Sequence, residues 1–127
     1  MTDYLTVIEA LAIHEDLIES FGGLEGVRDM GLLEAALFRP QTGYYANLIE
    51  EATALWESLS QNHLFVDGNK RTAFAVTYTF LAINGLIIRS DSQTAYDFIA
   101  TLYKTKAFNF DKLSKWLQQN TEKQNKW

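Results

Sequence analysis

Seventeen consecutive residues of this chain, Thr72 to Ile88, carry no charged side chain. The nine residues directly before them, His63 to Arg71, hold an imidazole, a carboxylate, an amide and two cations. The uncharged run is short for a membrane span and contains several hydroxyl side chains, so it is better explained as part of a buried helix. We therefore expect a helix over about 69–84 at the centre of the fold, with a polar site at its N-terminal end.

The rest of the chain also has helical periodicity, with almost no alternation of polar and apolar residues. Thr6, with Glu9 three residues later, forms a capping-box pattern, and the glycines Gly22 and Gly23 end the helix that follows. Asp29 is the expected cap of a second helix. The sequence predicts an all-α fold, a compact domain of about six helices around the central one, with bounds near 7–21, 31–38, 48–61, 69–84, 92–104 and 110–120.

The segments between and after these helices carry weaker signals. Pro40 is expected to stop the second helix, because proline cannot donate the next backbone hydrogen bond. In the loop that follows, Tyr44 and Tyr45 are expected to pack on the core rather than to contact a ligand. Residues 86–89 read as briefly extended, and the polar tail that ends at Trp127 is expected to fray.

Composition bounds the class of protein. A length of 127 residues suits one domain, residues 1–127, that buries its own core without disulfides, and the chain contains no cysteine. The acidic start, Met1 to Tyr4, does not resemble a signal peptide, so we expect a soluble protein in the cytoplasm with no membrane contact. A net charge of −5 argues against direct binding of nucleic acid, but not against a small anion in a local basic pocket.

The end of the polar cluster predicts an anion site. Gly68 lies where the chain turns into the central helix, and the first amides of a helix have no internal partners and carry the positive end of its dipole. Lys70 and Arg71 fall in that first turn, where cations are unfavourable unless an anion such as phosphate lies among them. Asn69 is expected either to cap the helix or to bind a phosphate oxygen.

The beginning of the cluster predicts acid–base and metal chemistry. Asp67 would repel a phosphate unless a cation bridges the two, and Mg²⁺ binds one or two carboxylates together with phosphate oxygens. His63 is the natural general base, because histidine titrates near neutral pH. Each residue also has a purely structural explanation: a hydrogen-bonded histidine, an aspartate cap and solvated cations. A zinc site with His14 is disfavoured, because such sites need three or four close ligands.

The cluster resembles a known signature. His63 to Arg71 is similar to His-x-Phe-x-(Asp/Glu)-Gly-Asn-x-x-Arg, the motif of the Fic/Doc (Fido) superfamily, and the continuation Asn-Lys-Arg-Thr-Ala resembles its death-on-curing (Doc) branch. The resemblance covers about residues 5–120. Further similar segments are Ile13-His14-Glu15, Gly22 to Asp29, Gly31 to Glu34, Ala36-Leu37, Arg39-Pro40, and Leu81 with Asn84-Gly85.

The resemblance implies a fold and a set of roles. The fold would be a small helical Fido domain. His63 would be the catalytic base that takes a proton from the target's hydroxyl, and Asp67 the acid associated with Mg²⁺. The anion-binding loop would consist of Gly68, Asn69, Lys70 and Arg71, with Arg71 also acting in catalysis. The loop over 41–47 would correspond to the flap that positions a target segment.

Two positions depart from the wider family. Fic adenylyltransferases have a second glycine where this chain has Lys70, and a second arginine where it has Phe74. Doc proteins with this pattern are similar to toxins that transfer the γ-phosphate of ATP, inhibiting translation through elongation factor Tu. Gly68 matches the Fic consensus instead, where some Doc proteins have alanine, so adenylyl transfer (AMPylation) stays open as an alternative.

The resemblance also implies partners. No convincing autoinhibitory motif occurs in the chain, so inhibition is expected from a small Phd-like antitoxin that docks over the active-site groove, as in a toxin–antitoxin system. A degenerate Fido domain that binds nucleotide without chemistry is a second hypothesis. A DNA-linked repressor is a third, which the acidic charge disfavours.

Overall fold

The computed structural model describes residues 1–124. Within that range the chain forms six α-helices, one short 3₁₀ helix and two short strands. No helix in the described range is long and apolar enough to cross a membrane. In chain order the elements are α1 (Val7–Phe21), α2 (Met30–Phe38), the 3₁₀ helix (Arg39–Thr42), α3 (Leu48–Gln61), α4 (Asn69–Ile83), β1 (Leu86–Ile88), α5 (Ser92–Lys104), α6 (Phe110–Asn120) and β2 (Thr121–Lys123).

Local capping explains the start of most helices. At α1 the hydroxyl of Thr6 accepts the backbone N–H of Glu9 at 3.2 Å, and the Glu9 carboxylate accepts the N–H of Thr6 at 2.9 Å. This reciprocal capping box satisfies two amides that the helix itself leaves unpaired. Gly22 ends α1 at φ 85°, and Asp29 caps α2 through the N–H of Leu32. The predicted capping residues of α1 and α2 are therefore confirmed.

The central position predicted for α4 is confirmed. It packs against α1, α3, α5 and β1, and its uncharged length places Phe74, Val76, Phe80 and Leu81 in the core. Trp56 of α3 is fully buried beside Phe74, with ring centroids 5.9 Å apart. Burying this aromatic and aliphatic surface is the main contribution to holding α3 and α4 together.

The structure corrects the expectation that the tail frays from residue 121. β2 pairs antiparallel with β1, with Leu86 opposite Lys123 and Ile88 opposite Thr121. A three-residue strand has no periodicity of its own to detect, and its partner lies more than thirty residues earlier in the chain. The expectation for Trp127 falls outside the described residues.

One further expectation is confirmed and another needs correction. The helix α2 ends at Phe38, two residues before Pro40, as predicted, and a 3₁₀ helix with Pro40 near its start follows for one turn. Tyr44 does not pack on the core: it is 83% exposed. Tyr45 is half-buried, stacks on Phe110 and accepts a hydrogen bond from Arg39 Nε at 2.7 Å.

Candidate active site

The polar loop before α4 is pinned to the connection between α1 and α2. The carbonyl of Leu64 accepts the backbone N–H groups of Arg28 and Asp29, at 2.8 and 3.1 Å, and the N–H of Val66 donates to the carbonyl of Gly26 at 3.0 Å. Leu64 and Phe65 are fully buried within this pairing. These hydrogen bonds join two segments that lie far apart in sequence. They fix the backbone from which the polar side chains of the loop extend.

Asn69 closes the loop on itself. Its side-chain oxygen accepts the N–H of Phe65, and its side-chain nitrogen donates to the carbonyl of Phe65, both at 2.9 Å. Asn69 is the first residue of α4, yet it does not cap that helix. In this structure it fixes the turn between Phe65 and the helix start; binding of phosphate by the same side chain stays a prediction.

Asp67 lies against the glycine turn after α1. One carboxylate oxygen accepts the N–H of Leu24 at 3.2 Å, and the other accepts the N–H of Gly68 at 2.9 Å. A Cβ added to Gly23 would come within 2.8 Å of the Asp67 carboxylate. Glycine at this position therefore lets the turn approach the carboxylate closely, and two backbone amides orient its oxygens.

His14 is a part of the site that the sequence reasoning did not assign to it. The imidazole is buried, and it stacks on the Phe65 ring with centroids 3.9 Å apart and an interplanar angle of 9°. Its Nε2 lies 2.9 Å from the carbonyl oxygen of Asp67. A carbonyl only accepts, so Nε2 carries the proton and donates to it. The sequence could have indicated this contact, because a buried histidine on the apolar face of α1 needs a polar partner.

His63 has an unusual backbone conformation. Its φ is 47°, in the left-handed region that side chains other than glycine rarely adopt. The residue is exposed, and it lines a cavity of about 280 Å³ together with Arg28, Asp29, Leu32 and Asn62. Such strain persists only where the surroundings impose it, and here the paired Leu64 follows directly. The loop therefore presents His63 to solvent next to a small cavity.

The start of α4 has no capping side chain. Gly68 occupies the capping position in the left-handed conformation, with φ 74° and ψ 21°. Glycine adopts this conformation without the steric cost of a Cβ. A Cβ at this position would also come within 3.2 Å of Ile18. The positive end of the helix dipole is thus left without a side-chain acceptor, as an anion site requires.

The two cations in the first turn diverge. The ammonium of Lys70 lies over the ring of Tyr103, 4.6 Å from its centroid. The guanidinium of Arg71 instead lies over Phe21 of α1, at 4.6 Å, and over Tyr96 of α5, at 5.7 Å. The structure therefore does not bring the predicted phosphate ligands Lys70 and Arg71 together; Arg71 bridges α1 and α5.

Arg71 lines a second and larger cavity. Its volume is about 670 Å³, and it lies between α1, α4 and the start of α5. Tyr96, on its wall, is half-buried; burial raises the pKa of the Tyr96 hydroxyl, and the charge of Arg71 opposes that rise. This cavity and the one beside His63 share no lining residue. The loop from His63 to Arg71 therefore begins at one cavity and ends at the other.

The residues present fit Mg²⁺ better than zinc. Among the described residues, no three histidine, cysteine or acidic side chains are grouped as a metal site requires. Asp67 offers one oriented carboxylate whose oxygens each retain further lone pairs. One carboxylate plus phosphate oxygens suits Mg²⁺, whereas zinc needs more protein ligands.

Comparison with known proteins establishes the family. Residues 4–81, which include α1 to α3, the polar loop and most of α4, match the Fic/DOC family. The chain belongs to this family. It is 45% identical over 100 residues to a protein named Toxin Doc from Mycolicibacterium smegmatis, covering 72% of each chain. It is 34% identical over 94 residues to Protein kinase doc of Escherichia phage P1, covering 68% of this chain and 72% of that protein. The predicted family and its Doc branch are confirmed.

Proposed function

We propose that this chain is a Doc-type toxin kinase that transfers the γ-phosphate of ATP to a hydroxyl group of a protein target. The observation that best supports this proposal is the course of the segment from His63 to Arg71. His63 lines one cavity and Arg71 lines another. In phosphoryl transfer the attacking hydroxyl oxygen and the leaving oxygen of ADP lie roughly in line on opposite sides of the γ-phosphorus, so separate places for the target and the nucleotide suit this reaction. The relative named Protein kinase doc supports the same class of reaction.

In this proposal His63 is the general base. It removes the proton from the target's hydroxyl as the oxygen bonds to the γ-phosphorus, and the bond between that phosphorus and the β–γ bridging oxygen breaks, releasing ADP. Arg71 and the uncapped amides of α4 neutralise charge that develops on the phosphate oxygens. His14 and Asn69 hold the loop in place through hydrogen bonds to the backbone of Asp67 and Phe65.

Asp67 is the residue that would hold Mg²⁺ together with the phosphates. The ion, when bound, supplies positive charge to the phosphate oxygens. Asp67 is suited to this because the amides of Leu24 and Gly68 orient its carboxylate. Lys70 has a less direct role than the motif suggested, since its ammonium lies over Tyr103.

The proposed partners follow from the family. By resemblance, the target is elongation factor Tu, whose modification would inhibit translation, and a Phd-like antitoxin would dock over the active-site groove. Adenylyl transfer is the alternative reaction, favoured by Gly68. A degenerate domain that binds ATP without turnover is the third reading, and the presence of His63, Asp67 and Arg71 argues against it.

A labelling experiment separates these reactions. Purified protein is incubated with Mg²⁺, elongation factor Tu and ATP labelled at either the γ- or the α-phosphorus. We expect label in the target from γ-labelled ATP only. Label from α-labelled ATP would establish adenylyl transfer instead, and ATP binding without labelling of any protein in a cell extract would establish the degenerate domain.

A variant pair tests the role of His63. His63→Ala should lower the labelling rate by about a thousandfold, because general-base catalysis contributes roughly 10²–10⁴-fold. Gln61→Ala, an exposed residue at the end of α3, is the control and should keep full activity. Thermal unfolding should be unchanged in both variants. Full labelling by His63→Ala would exclude His63 as the base.

A further inference from the structure

Two segments that carry cations are anchored to the backbone around His63. In the first, the N–H of Arg28 donates to the carbonyl of Leu64, which directly follows His63. Arg28 also lines the cavity of about 280 Å³ beside His63. In the second, the hydroxyl of Tyr103 donates to the carbonyl of Ser60, three residues before His63. Both segments are therefore fixed to the stretch of backbone that exposes the proposed base.

Arg28 stands out in its part of the chain. It is the only lysine or arginine in residues 1–38, and it is exposed. Asp29 lines the same cavity, but its Oδ1 accepts the N–H of Leu32 at 3.0 Å. The ion pairs formed within residues 1–124 do not involve Arg28. A guanidinium beside the base, with no carboxylate partner in this range, suits a carboxylate of a bound molecule.

The segment around Tyr103 concentrates positive charge. The ammonium of Lys70 lies over the Tyr103 ring, and the exposed Lys104 and Lys106 follow that ring in sequence. Residues 58–66 and 98–110 contain no aspartate or glutamate. In the part of the chain that the structure describes, these three lysines form no ion pair. A basic surface thus lies beside the end of α3, from which the chain continues to His63, although the net charge of the protein is −5.

Lys106 occupies a backbone position that favours glycine. Its φ is 56°, in the left-handed region. The N–H of Lys106 donates to the carbonyl of Tyr103 at 3.2 Å, and the N–H of Ala107 donates to the carbonyl of Leu102 at 2.8 Å. This pair of bonds is the helix-ending motif in which the left-handed residue is usually glycine. A lysine held there at a steric cost points to a function for its side chain.

We propose that the protein target carries its acceptor hydroxyl within an acidic segment, whose carboxylates contact Arg28 and the lysines around Tyr103. The inference rests on the proposed function, because it assumes that the hydroxyl lies at His63. Opposite charges would steer the target to the site and fix its register, and lysine or arginine beside the hydroxyl would be repelled. The chemical class of the substrate is therefore a hydroxyl side chain flanked by aspartate or glutamate.

Enzyme kinetics with two variants test the cations. Arg28→Glu reverses one charge, and Lys106→Gly removes another while relieving the left-handed backbone. We expect each variant to raise the KM for the labelled target about fivefold, since an exposed ion pair contributes up to about this factor. The kcat should not change, because a contact made equally in the ground state and the transition state affects KM alone.

Two controls separate charge from structure. Lys106→Gly should raise the Tm while it raises KM, whereas damage to the fold would lower the Tm. Lys123→Glu makes the same change in net charge as Arg28→Glu, but at an exposed position of β2 opposite Leu86, beyond the other end of α4. It should leave KM unchanged.

Peptide competition tests the chemistry of the partner. Two short synthetic peptides have a central threonine, flanked by glutamates in one and by glutamines in the other. Each competes with the target for labelling, with Mg²⁺ in excess. We expect the glutamate peptide to inhibit the wild type about tenfold more strongly than the glutamine peptide, since separate ion pairs add. In the double variant Arg28→Glu/Lys106→Gly, the two peptides should inhibit about equally.

The outcomes distinguish this proposal from the proposed function. Equal inhibition of the wild type by both peptides, or an unchanged KM for the target in both variants, would overturn the acidic segment and leave the kinase reaction intact. A raised KM for ATP alone would assign the cations to the nucleotide, and weaker antitoxin binding alone would assign them to the antitoxin; either result also overturns the proposal. If the wild type labels no protein in a cell extract, both proposals are wrong.

Discussion

The start of α4 differs from the starts of the other five α-helices in the described chain. Each of those five has a side-chain oxygen that accepts a backbone N–H of its own first turn, from Thr6, Asp29, Asn47, Asp91 and Asn109. At α4 the capping residue is Gly68, and no side chain caps the helix. A capping side chain contributes about 1 kcal/mol to stability, which this helix does without.

The difference teaches how this fold accommodates a binding site. The five capped helices occupy their first amides locally, within a few residues of sequence. At α4 the stabilising contacts are instead hydrogen bonds that hold the preceding loop. Asn69 bonds to the backbone of Phe65, His14 donates to the carbonyl of Asp67, and Leu64 pairs with the connection between α1 and α2. The first amides of α4 therefore have no side-chain acceptor, which suits the anion site proposed above, and tertiary contacts hold this helix start in place of a local cap.

Among changes to the contacts that support the loop, disturbing the approach of Gly23 to Asp67 should give the largest effect. Gly23→Ala places a Cβ within 2.8 Å of the Asp67 carboxylate, which must move. We expect labelling activity to fall about a hundredfold, since a shift of about 1 Å in a catalytic group costs this much. Gly22→Ala is the control: it also has positive φ, but a Cβ there meets nothing within 4 Å.

Both glycine variants should lose stability for the same reason, by about 1–3 kcal/mol from a side chain in a glycine conformation. Denaturant unfolding measures this loss, and kinase assays below the transition measure activity. Equal activity in the two variants would show that the close approach of Gly23 to Asp67 has no catalytic importance.

Two asparagines at helix starts, Asn69 of α4 and Asn109 of α6, give a smaller contrast. Asn69→Ala removes two hydrogen bonds to Phe65 and leaves a buried N–H unpaired, which should cost about 1–3 kcal/mol. Activity should fall about tenfold as the loop loosens. Asn109→Ala removes an ordinary cap of α6 and should cost about 1 kcal/mol with full activity.

Calorimetry on the same pair tests the predicted phosphate contact of Asn69. If the side chain also binds phosphate, Asn69→Ala should bind ATP more weakly than wild type by more than the about tenfold loss expected from the loosened loop. The affinities are compared at a temperature where the variant is fully folded. Unchanged stability in Asn69→Ala would contradict the role of its two hydrogen bonds to Phe65 in fixing the loop.

Acid should weaken α1 and α5 selectively, and this is the smallest expected effect. The amide and hydroxyl of Thr6 lower the pKa of the Glu9 carboxyl below its ordinary value, and the amide and hydroxyl of Thr94 do the same for Asp91. A carboxyl whose pKa is lower in the folded state contributes stability above its unfolded pKa, and this contribution is lost as pH falls through the folded pKa. α4 has no carboxylate cap to lose.

The measurement is the difference in melting temperature between wild type and Glu9→Gln. This difference should be constant near neutral pH. It should shrink below about pH 4, where the Glu9 carboxyl becomes protonated first in the unfolded state and then in the folded state. In a Thr6→Ala background the same substitution should show a smaller pH-dependent difference, because the partner of Glu9 is gone. A difference that grows toward acid pH would have the wrong sign and would refute the assignment.

The sequence alone was enough for the helices and for the family. The capping box of Thr6 and Glu9, the glycines after α1 and the Asp29 cap act through contacts within a few residues, so local pattern predicts them. The uncharged run predicted that α4 would be central, because a helix apolar on all faces must be buried. The polar cluster before it was sufficient to identify the Fic/DOC family, which the wider comparison confirmed.

Only the tertiary structure decided how the motif's side chains are used. Lys70 and Arg71 are neighbours in sequence, but successive residues on a helix point about 100° apart, and different partners, Tyr103 and Phe21, hold them. The contacts of Asp67 with His14 and Gly23 come from α1 and the turn that follows it, more than forty residues earlier in the chain. The pairing of β1 with β2 is likewise a long-range contact. Local patterns in a sequence report contacts made within one element, whereas these depend on which elements pack together.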